Sequence, residues 1–206
     1  PERGSWIELN VSKKDAMTVK IDQSGKFSAM TFLRAMSADY SRNADILRAF
    51  HKVERVPLGK GAGKRLLGRH VVDDLVDPAT GEVVLEAGQQ IEERHEAALA
   101  AGDRADLELL EEVRDVLVLN SLAEDTSSSH EEALLKIYGR LRPGNPPQLE
   151  KARDLFAEKF FDSNRYRLGR VGRFRLNRKF NQSLPESEMT LNPVDIVNAI
   201  RYIMAL

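Results

Sequence analysis

Two short stretches near the start of this sequence restrict its fold more than any others. Residues 5–11 (SWIELNV) and 17–22 (MTVKID) each alternate apolar and polar positions with period two, and the turn-like SKKDA separates them. Such alternation marks half-buried strands, and two strands joined by so short a link pair antiparallel. With the turn centred near Lys14, positions whose numbers sum to 28 face each other. Ile7 then opposes Ile21 and Leu9 opposes Val19 on the apolar side. Glu8 meets Lys20, Asn10 meets Thr18 and Trp6 meets Asp22 on the polar side. The Glu8–Lys20 pair supports this register, because directly opposed side chains interact most strongly. It also puts the chain's one tryptophan and a carboxylate together at the open end of the hairpin, facing solvent.

Helical patterns follow. Residues 29–36 and 43–50 read as short helices, the second with Asn43 as its N-cap. Ser129-His-Glu-Glu132 fits a capping box before a stripe of Leu134, Ile137, Tyr138 and Leu141. RPGNPP then breaks the chain, since a residue preceding proline avoids the helical region. Pro147 can open the next helix, which turns Leu149, Ala152, Phe156 and Phe160 inward. Asn192 and Pro193 cap and start a last helix carrying Val197, Ile200 and Met204.

The middle differs in character. PLGKGAGKR reads as a flexible hinge, followed by strand-like HVV and EVVLEAG around the turn signal Asp77-Pro-Ala-Thr-Gly81. Two polar helical patterns come next, 90–101 and 104–112, then strand-like VLVLN. Residues 86–115 hold ten acids against three arginines, which reads as a solvated acidic surface. The expected organisation is therefore an α+β fold. A mainly helical outer domain, residues 1–55 and 121–206, carries the hairpin; residues 56–120 form a small inserted α/β subdomain.

Charge is segregated along the chain. Overall, 31 basic and 32 acidic residues nearly cancel, but residues 159–179 hold eight Lys/Arg against Asp162 alone. Guanidinium groups this crowded need an anion or acids folded against them. Nucleic-acid phosphate is one candidate, and pairing with acids of the insertion is the other. Alternation in Arg173-Phe-Arg-Leu176 suggests an extended segment with its arginines on one face, as a phosphate-tracking strand would present them. An exposed Trp6 suits base stacking, and Asp22 beside it could accept from a base N–H.

Other chemistry finds little support. Gly59-Lys-Gly-Ala-Gly-Lys64 lacks the Ser or Thr that a phosphate-binding P-loop places after its lysine, because Arg65 follows. His51, His70, His95 and His130 have no metal-ligand spacing and read as surface or capping residues. The absence of cysteine excludes disulfides, thiolate-bound zinc and thiol catalysis. No apolar run approaches the roughly 20 residues of a membrane span. Neither catalytic nor metal-binding residues are expected. A start at Pro1 and an end within an apolar helical pattern suggest a piece of a longer polypeptide.

Three strings resemble the bacterial RNA polymerase β subunit: PERGSWIELNVSKKDAMTVKIDQSGKFSAMTFLRAM, IYGRLRPGNPP and LFAEKFFDSNRYRLGRVGRFRLNRKF. The resemblance covers roughly residues 1–50 and 125–206, with the middle similar to a lineage-variable insertion. It implies a lobe forming one wall of the DNA cleft, in contact with downstream duplex and the non-template strand of the bubble. It also implies a pocket for an unpaired guanine. There Asp22 would read the base edge, Trp6 would stack on a neighbour, and Arg142 would contribute to the wall or hold a phosphate. Where many members carry a basic run after the aspartate, this chain has Gln23-Ser24-Gly25 before Lys26. The candidate DNA contacts are thus Trp6, Asp22, Lys26, Arg142, Arg165, Arg170 and Arg173. The implied partners are DNA, the β′, α and ω subunits, sigma, and transcription factors at the insertion, in the cytoplasm at the nucleoid. The catalytic magnesium would belong to β′, leaving this piece without cofactor or activity of its own. A factor-docking platform built on the acidic insertion is the alternative reading.

Overall fold

The computed structural model describes residues 1–101 and 104–206. In chain order its elements begin with β1 (Ile7–Val11), β2 (Met17–Ile21), β3 (Phe27–Ser28), α1 (Ala29–Met36) and α2 (Asn43–Phe50). Next come β4 (Val53–Pro57), α3 (Ala62–Arg65), β5 (Leu75–Val76), β6 (Val83–Leu85), α4 (Glu96–Ala100) and β7 (Asp106–Leu110). The chain closes with α5 (Leu117–Glu124), α6 (His130–Leu141), α7 (Leu149–Phe160), α8 (Gly169–Phe180) and α9 (Pro193–Met204). This is the α+β composition expected. The chain divides into two compact units, residues 1–42 with 120–206, and residues 43–119.

In the first unit β1, β2 and β3 form an antiparallel sheet in that order. The register of β1 with β2 is Ile7–Ile21, Glu8–Lys20, Leu9–Val19 and Asn10–Thr18, the pairing that the alternation dictates. Met17, Val19 and Ile21 are buried on one face of β2. Every residue of α1 is buried, and the helix packs on β2, α6 and α9. Burying all faces of a helix that contains Thr31 and Arg34 requires internal partners for both. Asp125 supplies them: Arg34 Nε donates to Oδ2 at 2.9 Å and Thr31 Oγ1 to Oδ1 at 2.7 Å. Arg34 Nη1 also donates to the Ser41 carbonyl at 2.6 Å, and His130 Nδ1 to the Arg34 carbonyl at 2.6 Å.

Beyond this network lies an aromatic cluster. Phe32, Phe156 and Phe160 have ring centroids 4.8–5.8 Å apart, and Phe160 meets Tyr166 at 6.1 Å. α6 begins as its capping residues indicate, Ser129 Oγ accepting from Glu132 N at 3.1 Å, although Glu132 turns its carboxylate back to Ser128. At α9 the box is complete: Asn192 accepts from Val194 N and Asp195 accepts from Asn192 N.

In the second unit β4 pairs with β7, and β5 pairs with β6. Val71, Leu75, Leu85, Ile91, Leu99 and Leu109 form its core. Residues 43–55 group here, whereas the sequence division placed them with the outer domain. The β4–β7 ladder carries 53–57 across, and Arg48 Nε donates to Glu108 at 2.8 Å from α2. The turn at 77–81 closes with Gly81 N donating to the Asp77 carbonyl at 2.8 Å. Gly63 lies against Glu96 of α4, where a β-carbon would sit 2.5 Å from Glu96 Cγ. Close packing of α3 on α4 therefore explains this glycine.

Three local expectations are corrected. Residues 104–112 hold the strand β7, because Asp106-Leu-Glu-Leu109 alternates and its leucines are buried. Residues 116–120 enter the helix α5, nucleated where Asp115 Oδ1 accepts from Leu117 N at 2.7 Å. Residues 173–176 lie within α8, so the arginines of that stretch point in different directions around a helix.

Burial at the edge of the aromatic cluster pushes the Tyr166 phenol up to about 12, with a smaller push from Asp195. Its folded pKa exceeds its unfolded value, so its contribution is intact below about 10 and is lost as pH rises from there toward 12. Comparing thermal unfolding of the chain and Tyr166→Phe across pH 9–12 should show the variant gaining relative stability, on the order of 2 kcal/mol at the top of that range.

Candidate nucleic-acid interface

The site is built on the open end of the hairpin. Asp22 N donates to the Trp6 carbonyl at 2.9 Å, and Trp6 N donates to Asp22 Oδ1 at 2.9 Å. Asp22 has φ 51, a left-handed conformation that Asp tolerates better than most residues. The carboxylate thus fixes the backbone from which Trp6 projects, and the indole stands 68% exposed.

A second constraint brings the arginine-rich segment alongside. Glu2 N and Arg3 N donate to the Arg167 carbonyl at 2.7 and 3.1 Å, and Arg167 N returns a bond to the Arg3 carbonyl at 2.8 Å. Between these bonds and Trp6 lies Gly4, at φ 108. A β-carbon there would stand 2.8 Å from the Tyr166 ring and 2.9 Å from the Arg165 carbonyl. Glycine is therefore required both for the turn and for the close approach.

These constraints shape a hollow of about 330 Å³ beside Ser5, walled by Arg3, Arg142, Lys159 and Arg165 with Glu158 as its acid. Lys159 connects the hollow to the hairpin, its Nζ lying 3.9 Å from Asp22 Oδ2. Arg142 enters from the C-cap of α6, where the exposed RPGNPP loop begins, and its Nη1 donates to the Leu141 carbonyl at 3.0 Å. Four cations around one acid make this an anion-attracting concavity. The exposed indole, on the residue after Ser5, offers a flat apolar surface to a ring.

Of the seven candidates, Arg142 and Arg165 line the hollow, and Trp6 and Asp22 adjoin it through Ser5 and Lys159. Lys26 is exposed on the turn between β2 and β3, outside the lining of the hollow. Arg170 projects from α8 and holds Glu186 through Nε at 3.1 Å and Nη2 at 2.8 Å. Arg173 is corrected outright. It is 0% exposed, with Nη1 and Nη2 on the Asp195 carboxylate at 2.6 and 2.9 Å and further bonds to the carbonyls of Glu188 and Thr190. A guanidinium that makes four internal hydrogen bonds and that no solvent reaches cannot meet a phosphate. Arg3 and Lys159 were not among the candidates. Arg3 could have been suspected from its place three residues before Trp6, but only the pairing of residues 2–3 with 167 brings it to the arginine segment.

The histidines serve local structure. His95 is buried and accepts at Nδ1 from Glu92 N at 2.9 Å, while His70 Nδ1 bonds the Gly88 carbonyl at 2.9 Å. Burial pushes the His51 imidazole down, helped by His70 and opposed by Asp115. Among the described residues, no group of three His, Cys, Asp or Glu side chains could hold a metal ion. No helix among them is long and apolar enough to cross a membrane.

Taken together, fold and site define an α+β module interrupted by a second compact unit, with a cationic hollow beside an exposed tryptophan. Residues 99–206 match the family model for RNA polymerase Rpb2, domain 2, and the chain belongs to that family. Along its whole length it is also similar to the DNA-directed RNA polymerase subunit beta of Rhodopirellula baltica, at 52% identity. The corresponding subunits of Chlamydia felis and Leptospira biflexa are 36% and 31% identical over the whole chain. The chain spans only 17–18% of the length of these relatives.

The two exposed-versus-buried classes of arginine make different demands on stability. Arg173→Ala strands the Asp195 carboxylate and should cost about 3–5 kcal/mol in chemical denaturation. Arg165→Ala, at the exposed rim of the hollow, should stay within about 0.5 kcal/mol of the parent.

Proposed function

We propose that this chain is a lobe of a bacterial RNA polymerase β subunit that lines one wall of the DNA cleft and holds unpaired non-template strand at the edge of the bubble. The observation that carries this reading is the exposed Trp6, pinned by Asp22 beside a hollow walled by Arg3, Arg142, Lys159 and Arg165. Stacking on an indole tolerates any base, and cations track the backbone, so the pair suits a single strand better than a packed duplex. Asp22 has two tasks in this arrangement. Oδ1 holds the Trp6 amide, and Oδ2, with Lys159 Nζ 3.9 Å away but making no hydrogen bond to it, is left to accept from a base edge such as that of guanine. The lobe performs no chemistry. Nucleotide addition, with its magnesium, belongs to β′, and the neighbours of the lobe are the other polymerase subunits, sigma and downstream duplex. The whole assembly works on the nucleoid in the cytoplasm.

The test is made in the assembled polymerase, measuring affinity for bubble-containing DNA across salt concentrations. Trp6→Ala should weaken binding by about 1–3 kcal/mol. Arg142→Ala and Arg165→Ala should each lower the slope of log K against log salt by about 0.7. Unchanged affinity and slope in all three variants would remove the strand-holding role. Asp22→Ala should cost more with guanine at the bubble position than with other bases. An equal loss for all four bases, matched by full activity in Asp22→Asn, would leave Asp22 only the task of holding Trp6.

A further inference from the structure

The outward face of α8 is chemically unlike the hollow. Its inner face is occupied: Arg173 is buried on Asp195, and Gly172 lies so close to Leu168 that a β-carbon would stand 3.2 Å from Leu168 Cβ. Outward, three successive turns expose Arg170 and Val171, then Phe174 and Arg175, then Arg178 and Lys179. Val171 is 66% and Phe174 57% exposed, an apolar pair one helical turn apart. α8 contains no acid. Arg170 is held by Glu186, and Lys179 lies 4.6 Å above the Tyr202 ring. Arg175 and Arg178 have no side-chain partner among the described residues. Beside Val171 opens a hollow of about 530 Å³, with Leu168, Val171 and Met189 as apolar walls and Glu2, Arg167 and Arg170 around them.

We propose that this face docks a protein segment of acidic amphipathic character, one apolar side chain seated against Val171 and Phe174 and carboxylates paired with Arg175 and Arg178. Charge complementarity fixes the sign of the partner, because the acids bordering the face, Glu186 and Glu2, are already paired with Arg170 and Arg167, which leaves Arg175 and Arg178 to be met from outside. The apolar pair fixes its class. Phe174 could stack on a base as Trp6 could, but Val171 and the aliphatic walls of the neighbouring hollow could not. These aliphatic groups leave water only against another apolar surface, so a protein segment covers the whole face where a strand would cover only its ring. Aromatic residues and arginine together are also what protein–protein interfaces concentrate. This assignment rests on residues other than those that line the Trp6 hollow and stands whether or not that hollow binds nucleic acid.

The experiment places the photoreactive residue benzoylphenylalanine at position 174 of the full-length subunit, assembles the polymerase, and irradiates it with and without DNA. The expected product is a polypeptide adduct, independent of DNA, mapping to a segment with at least two Asp or Glu within a turn of an apolar residue. Adducts to DNA, adducts to a segment without carboxylates, or an assembled enzyme that gives no polypeptide adduct would each overturn the proposal. In the same assay, the double change Arg175→Glu and Arg178→Glu should reduce the adduct at least about tenfold, while Arg175→Lys with Arg178→Lys retains most of it. An undiminished adduct in the glutamate variant counts equally against the proposal.

Discussion

The buried pair of Arg34 and Asp125 is the contact on which the first unit depends. Its partners come from segments separated by the whole excursion of residues 43–119, and their side chains are 1% and 0% exposed. A charge pair at that depth is tolerable only when every remaining donor and acceptor is satisfied. Here Thr31 and Ser127 complete the carboxylate, and the Ser41 carbonyl takes a further guanidinium proton. His130 extends the network, its N donating to Ser41 Oγ at 2.9 Å and its ring to the Arg34 carbonyl. His130 is the first residue of α6, and α6 ends at the cap occupied by Arg142. The same interaction that closes the unit therefore sets where one wall of the cationic hollow stands.

The second buried arginine resolves the crowding of positive charge in residues 159–179. Those side chains share no common task. Arg173 is neutralised inside by Asp195, while Arg167 and Arg170 are met at the surface by Glu2 and Glu186. Lys159 and Arg165 border the hollow, and Arg175 and Arg178 face outward from α8. Repulsion along the segment is relieved by acids drawn from both ends of the unit, at positions 2, 186 and 195. The surface pairs contribute little to stability; the internal one is where loss of a partner is expensive.

Much of the first unit could be read from sequence because its signals are local. The hairpin register follows from alternation and one charge pair. The bounds of α1 follow from apolar spacing, as do those of α2 in the second unit, and α9 from the Asn192–Pro193 start. The failures have an equally physical origin. A four-residue alternation such as 173–176 is too short to distinguish period two from 3.6. A buried arginine also disguises the inner face of α8 as a surface. In β7 the charges of Asp106 and Glu108 suggested a solvated helix, although the leucines between them had the period of a strand. At the site, the Trp6–Asp22 pairing was legible because one turn determines it. The hollow was not, because Arg3, Arg142 and Arg165 meet only through long-range packing.

The closure of the first unit at Arg34 and Asp125 has a consequence for how such chains vary. Once both ends of residues 43–119 are anchored by a satisfied buried network, the excursion is, to the first unit, a loop with fixed ends. Loop-closure entropy grows only logarithmically, so doubling or halving the excursion changes that cost by only about 0.6 kcal/mol. Its own interior, built on Val71, Leu85 and Leu109, folds on separate contacts. Length and content between the two anchors can therefore drift over evolutionary time while the hairpin, α1 and α6 keep their places.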